Sequence, residues 1–195
     1  MKLHGYFRSS ASYRVRIALN MKGLTPEHLP HHLRKGEQCA PAYLAINPQG
    51  LVPTLESDAG AILTQSLAII EWLDETNPNP PLLPKDPLRR AKVRAFAQAI
   101  ACDTHPLNNL RVLHYLEQEL GQSKMARDAW YRHWIDETFT ALGPEIPRMG
   151  AAGADVARRR LSWVEIERTP DAFDWSDYDA IYDELLAAVP APERD

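Results

Sequence analysis

Cysteine is scarce in this sequence, with only Cys39 and Cys102 among 195 residues. Two thiols cannot build the disulfide framework of a small secreted domain, so the expectation is two reduced thiols in a cytoplasmic protein. Long apolar runs are also missing. The longest, around Leu67 to Ile70, falls far short of the roughly 20 residues that a membrane-spanning helix needs. The opening MKLHGYFRSS has no apolar stretch followed by a small-residue cleavage site, so it does not read as a secretory signal. Positive charge is not in excess. Lys and Arg number 22 against 26 Asp and Glu, and the net charge of -4 argues against nucleic acid as the main partner. His28, His31 and His32 lie close together, but a metal would need further converging donors; no metal site is expected, and they read as solvated side chains. What remains is ordinary globular composition, 45% hydrophobic and 25% charged, long enough for one large domain or two small ones.

Residues 1–80 alternate between two periodicities. Lys2 to Phe7 reads as a first strand. From Ser12 onward Val15, Ala18 and Leu19 fall at helical spacing, with Gly23 as a stop. Glu27 to Leu33 predicts a second strand, which Pro30 restricts to an edge. Leu51 to Leu55 and Ala61 to Thr64 flank the turn Asp58-Ala59-Gly60 and predict a hairpin. Ser66 then caps a helix whose stripe is Leu67, Ile70 and Leu73. This order predicts an α/β layer.

Prolines at 78, 80, 81, 84 and 87 mark a stiff linker, placed at 81–88. Beyond it the character is helical. Residues 88–102 form one segment, Pro106 starts or kinks the next, and Leu107, Leu110, Leu113 and Leu116 recur at intervals of three. Asp128 to Leu142 repeats the pattern, with Trp130 and Trp134 as core. After Gly143 the order breaks down through Pro144, Pro147 and Arg158 to Arg160, and a last helix is predicted from Ser176, with Asp179 as its capping partner. The domains are therefore 1–80 and 89–195, the second divergent after about 143.

Three segments carry chemistry. Ser9, Ser10 and Ser12 stand where the first strand enters a helix, and taken alone they are helix caps. Pro53 is an ordinary proline before a strand. Gln65-Ser66 opens a helix, whose N-terminus is a ready anion site. Together with His105 to Leu113, the stretches Tyr6 to Leu19, Asn47 to Leu55 and Gln65 to Glu71 resemble the zeta class of glutathione transferases, the maleylacetoacetate isomerase family. The likeness covers about the first three quarters of the chain, in four pieces in the right order.

The resemblance implies a thioredoxin-like α/β N-terminal domain followed by an all-α helix-bundle domain, the glutathione transferase fold, with glutathione as coenzyme. It makes Ser9 the hydrogen-bond donor to the glutathione thiolate, with Ser10 beside it and Ala11, Ser12, Tyr13 and Arg14 lining the site. It implies a cis Pro53 that turns the Val52 backbone toward the cysteinyl part of glutathione. Gln65 and Ser66 would hold the γ-glutamyl carboxylate, and Gln38 would lie near the glycyl end. His105, Asn109, Leu110 and Arg111 would close over the site, with Arg8 and Arg111 as forks for substrate carboxylates. The implied activity is glutathione-dependent cis-trans isomerisation of maleylacetoacetate, or of a close diacid such as maleylpyruvate, in tyrosine and phenylalanine breakdown, by a homodimer. The alternatives are conjugation or dehalogenation of small α-halo acids, and a non-catalytic interaction module. Two departures from the family pattern stand out. Ala11 replaces its usual cysteine, as in relatives acting on maleylpyruvate. Its late-domain capping box and following arginine are not recognisable after Gly143, Ser162 to Glu165 being a faint echo; the chain is also somewhat short for the family.

Overall fold

The computed structural model describes residues 1–143 of the chain. The chain divides into two compact units, Met1–Asp128 and Ala129–Asp195. The expected helix from Ser176 and the segments around Arg158 and Ser162 lie outside the described residues.

In the first unit, β1 (Lys2–Gly5) leads into α1 (Ser10–Met21), β2 (Glu27–Pro30) and, after two 3₁₀ turns, the short α2 (Pro41–Leu44). Strands β3 (Thr54–Glu56) and β4 (Ile62–Thr64) follow, then α3 (Ser66–Thr76). The sheet order is β2-β1-β3-β4, with β1 parallel to β2 and antiparallel to β3, and β3 antiparallel to β4. This is the thioredoxin-like α/β layer. Strand alternation decides its two faces. Leu3 and Leu55 point to one face, where they pack with Val15, Ala18 and Leu19 of α1 and Ile69 and Leu73 of α3. Each of the buried Leu, Ile and Val side chains contributes roughly 2 kcal/mol of hydrophobic stabilisation, and the Ala18 methyl less. His4 and Thr54, register partners on adjacent strands, are also buried but are polar.

Several boundaries differ from the sequence expectation. The first and second strands end at Gly5 and Pro30, the third begins at Thr54 rather than Leu51, and the first helix begins at Ser10 rather than Ser12. Pro30 does lie on an edge strand. The N-cap position of α3 is Gln65, not Ser66, and the buried positions of α3 are Ser66, Ile69 and Leu73, with Leu67 only partly covered. The helix starts one residue earlier than the serine suggested, so Ser66 lies inside it.

The proline-rich stretch is pinned rather than free. The Asp74 carboxylate accepts the backbone N–H of Leu82 at 2.7 Å and of Leu83 at 3.2 Å. Asp86 then caps α4 (Pro87–Gln98) by accepting from Arg89 N at 2.8 Å. Pro106 stands in the first turn of a short helix, as expected of a segment start. A π-helical turn at Ala99–Thr104 runs directly into α5 (His105–Leu107), and the break falls at Asn108–Asn109, before α6 (Leu110–Gln118). Pro106 has no N–H for the carbonyl four residues back, and the turn that precedes it is the wider π-helical one. The last described helix is α7 (Lys124–Leu142), which begins earlier than Asp128. In the second unit Trp130 and Trp134 meet edge to face at 5.6 Å but are half-buried, not core.

His31 is not solvated. Its Nε2 lies 2.9 Å from His4 Nδ1, whose other ring nitrogen lies 2.8 Å from Glu56 Oε1. Its ring also packs 4.1 Å from that of Tyr43. Burial, then the neighbouring His4, holds His31 below the ordinary imidazole value.

Candidate functional site

The sheet register brings three of the predicted site segments to one end of the first unit. His4 pairs with Thr54, and Thr54 with Thr64. Extending each ladder outward by one and two residues brings Gly5-Tyr6, Val52-Pro53 and Gln65-Ser66 to the same end. There β1 runs out toward α1 and β4 runs directly into α3. Two helices that pack on each other therefore begin at this end, with their positive dipole ends and unpaired N–H groups.

Ser9 is the N-cap of α1, in extended conformation, and its Oγ accepts the Ser12 N–H at 3.2 Å. A capping hydroxyl uses a lone pair, so its own O–H remains free to donate elsewhere. Ala11 and Ser12 are buried, and Ser12 Oγ accepts from Tyr6 N at 3.4 Å. That bond ties the helix start to the strand end. Tyr13 lies under the Arg16 guanidinium, 5.3 Å from the ring centroid. Ser10 Oγ and His105 Nδ1 are hydrogen-bonded at 3.0 Å, bringing together two predicted site residues 95 positions apart. Burial, and secondarily the Arg14 charge, pushes the His105 pKa down to about 4. Arg14 is itself held below the ordinary guanidinium range by burial.

A pH effect on stability follows. Unfolded His105 takes up a proton near its usual pKa of about 6.5, while the folded state resists until about 4. Its contribution is complete above about 6.5 and is lost as pH falls toward 4. Urea denaturation at pH 7.5 and 4.5 is expected to differ by roughly 2–3 kcal/mol more in wild type than in His105→Gln. Equal differences would show that His105 is not protected from protonation.

Val52-Pro53 is a cis peptide bond, as the resemblance implied. Gln65 has φ of +67°, the left-handed region in a residue with a Cβ, a strained geometry that clusters at ligand sites. Its side-chain amide donates to Gln49 Oε1 at 3.4 Å. No side chain caps α3, so its first N–H groups remain available to an anion beside the buried Ser66. Gln38 Oε1 is buried without a hydrogen-bond partner. Gly50, at φ of +61°, leaves room beside Gln38: a Cβ there would stand 3.3 Å from the Gln38 carbonyl oxygen. The missed residues are Gln49 and Asn47, which lie in a matching stretch but had no role assigned, and Tyr43, which lies outside every such stretch and bonds the Leu51 carbonyl eight positions on.

Asn109 caps α6, its Oδ1 accepting the Arg111 N–H at 3.1 Å. Leu110 is partly buried and Arg111 is exposed; Arg8, half-buried, lies in the turn between β1 and α1. Within the described residues, His105 is hydrogen-bonded to the Ser9-Ser10 end, whereas the Asn109 side chain bonds the Arg111 backbone. No helix of the described residues is long and apolar enough to cross a membrane.

Both the α/β layer and the helix-headed site match the class described as glutathione S-transferase, N-terminal domain, whose family pattern covers residues 3–81. A probable maleylacetoacetate isomerase from Vibrio cholerae is 45% identical over 179 residues, 91% of this chain and 82% of that protein. An alignment of that length extends beyond Gly143, past where the sequence pattern was recognisable. The maleylacetoacetate isomerase of Pseudomonas aeruginosa is 50% identical over 73% of this chain and 68% of its own length. A solved holo maleylpyruvate isomerase, a bacterial zeta-class protein, superposes with a TM-score of 0.73 at 46% identity, covering 75% of this chain and 69% of its own. A maleylacetoacetate isomerase from Anaeromyxobacter dehalogenans, solved with glutathione in its active site, gives 0.65 at 38% identity over 75% and 68%. The chain belongs to the maleylacetoacetate isomerase family, the zeta class of glutathione transferases.

Proposed function

We propose that this protein is a glutathione-dependent isomerase that converts maleylacetoacetate, or a close cis-diacid such as maleylpyruvate, to the trans form. The observation that carries the reading is the convergence at one sheet end of Ser9 at the head of α1, the Val52-Pro53 bond and the uncapped start of α3 at Ser66. The relatives' names and the glutathione held by solved neighbours support it.

The residues fit the coenzyme. Gln38 offers a buried acceptor that lacks a partner, and the α3 N-terminus with Gln65 and Ser66 suits a carboxylate. When bound, glutathione supplies a nucleophilic sulfur whose reversible addition makes the double bond transiently single. The chain's own groups do the rest. Ser9 directs its O–H to the sulfur while its lone pair caps α1, and the α1 N-terminus favours the anion. Both effects lower the thiol pKa from about 8.5. Ser10 is held beside it by His105, which stays uncharged at neutral pH. Ala11, Ser12, Tyr13 and Arg14 line the site; Val52 presents its backbone, and Asn109, Leu110 and Arg111 flank it. Arg8 and Arg111 hold substrate carboxylates. The glutathione-binding domain is 1–80, joined through 81–88 to the helical domain 89–195. The setting is aromatic amino-acid breakdown in the cytoplasm, by a homodimer.

Product analysis tests this. With maleylacetoacetate and catalytic glutathione, the trans product is expected to accumulate while total glutathione stays constant. Stoichiometric loss of glutathione would assign conjugation instead, and the absence of a calorimetric binding signal would remove the enzyme assignment.

A further inference from the structure

Leu51 and Thr54 bracket the Val52-Pro53 pair, and both are held by one buried polar network. Tyr43 Oη donates to the Leu51 carbonyl at 2.6 Å, and Asn47 Nδ2 donates to the same oxygen at 2.8 Å. The second Asn47 N–H goes to Thr54 Oγ1 at 3.0 Å, and Thr54 in turn donates to Tyr43 Oη at 2.9 Å. Asn47 Oδ1 accepts the Gln49 N–H at 3.1 Å, which settles the orientation of its amide. Every polar atom of the three side chains has a partner, and Tyr43, Asn47 and Thr54 are at most 2% exposed. Burial holds the Tyr43 phenol above its usual pKa, outweighing the opposing influence of the neighbouring Thr54 and Asn47 side chains, so it remains a donor at neutral pH.

An apolar cluster would fill this space without the desolvation cost of three polar side chains, whereas a fully satisfied network specifies one geometry. The geometry specified is that of two backbone segments, one immediately before Val52 and one immediately after Pro53. We infer that Tyr43 and Asn47 are positioning residues for glutathione, acting through the Leu51 carbonyl to hold the Val52 backbone where the coenzyme pairs with it. This rests on the glutathione-binding reading above. Neither side chain need touch the coenzyme. A backbone contact made equally in the ground and transition states affects binding more than turnover, so the signature is in affinity.

The test uses the full chain, with glutathione titrated calorimetrically and turnover measured at saturating glutathione. Tyr43→Phe removes one hydroxyl and keeps the ring, and is expected to raise the glutathione Kd about tenfold while kcat changes less than about twofold. Asn47→Asp, which puts an oxygen where two N–H groups donated, is expected to weaken binding further. Leu73→Val, a core change at the far end of α3, serves as the stability control and is expected to lower the melting temperature without moving Kd. An unchanged Kd in folded Tyr43→Phe overturns the inference and leaves the isomerase reading standing. So does a rise in Kd with a matching fall in kcat that scales with lost stability and is shared by Leu73→Val. Should Asn47→Asp fail to fold, Tyr43→Phe decides alone. Failure of the wild type to bind glutathione would overturn both readings.

Discussion

Ser9→Ala is expected to lower isomerase turnover about a hundredfold while the glutathione Kd changes no more than about threefold. The asymmetry comes from what the hydroxyl does in the proposed site. It stabilises charge on sulfur and contributes little to holding the tripeptide, which the Val52 backbone and the α3 N-terminus would bind. The thiolate absorbance of bound glutathione should therefore titrate nearer the free value of about 8.5 in the variant. Ser9 is also the N-cap of α1, and losing that cap costs about 1 kcal/mol of stability by itself. Ser9→Gly separates the two roles, because glycine caps almost as well as serine and has no hydroxyl. It is expected to be nearly as stable as wild type and as slow as Ser9→Ala. Full activity in Ser9→Gly would take Ser9 out of the mechanism.

Asp74→Ala is expected to cost about 3–5 kcal/mol, the largest stability effect of any single change proposed. Lys22, at the end of α1, has a fully buried side chain, and its ammonium bonds Asp74 Oδ1 at 2.5 Å and the Pro80 carbonyl. Removing the carboxylate leaves a buried cation without its counter-charge and frees the N–H groups of Leu82 and Leu83. A fall of about 10 °C in melting temperature is the corresponding readout. Adding Lys22→Met to Asp74→Ala should recover part of the loss, since the stranded charge is then gone. The Lys22 and backbone bonds outweigh burial and hold Asp74 below the usual carboxylate value. Its contribution is present above about pH 4 and is lost as pH falls through the folded value. A cost under about 1 kcal/mol would mean that water reaches Lys22 once Asp74 is gone.

Much of this was legible along the chain, and the misses share a cause. Val15, Ala18 and Leu19 announced α1 by spacing alone, and Asp58-Ala59-Gly60 announced the hairpin. The serine at position 66 suggested a cap, but the cap position fell to Gln65, whose left-handed backbone no local preference would select. Pro106 suggested the start of a segment and stands in the first turn of α5, but the π-helical turn ahead of it had no signal along the chain. His31 read as solvated because nothing near it in sequence predicts a bond to His4, 27 positions earlier. Site residues came from motif resemblance, while Tyr43 lay outside the matching stretches and Asn47, inside one of them, had no role assigned.

Composition and periodicity by themselves determined the α/β layer, the helical continuation and the lack of a long apolar run in the sequence. These follow from local rules, in which each residue's preference depends on its neighbours at spacing two or three to four. Only the tertiary structure decided which groups meet: Ser10 with His105, Lys22 with Asp74, Tyr43 and Asn47 with the Leu51 carbonyl. The physical reason is that side-chain hydrogen bonds act over about 3 Å in space and are indifferent to separation along the chain, so their partners exist only once the sheet has brought distant segments to one end.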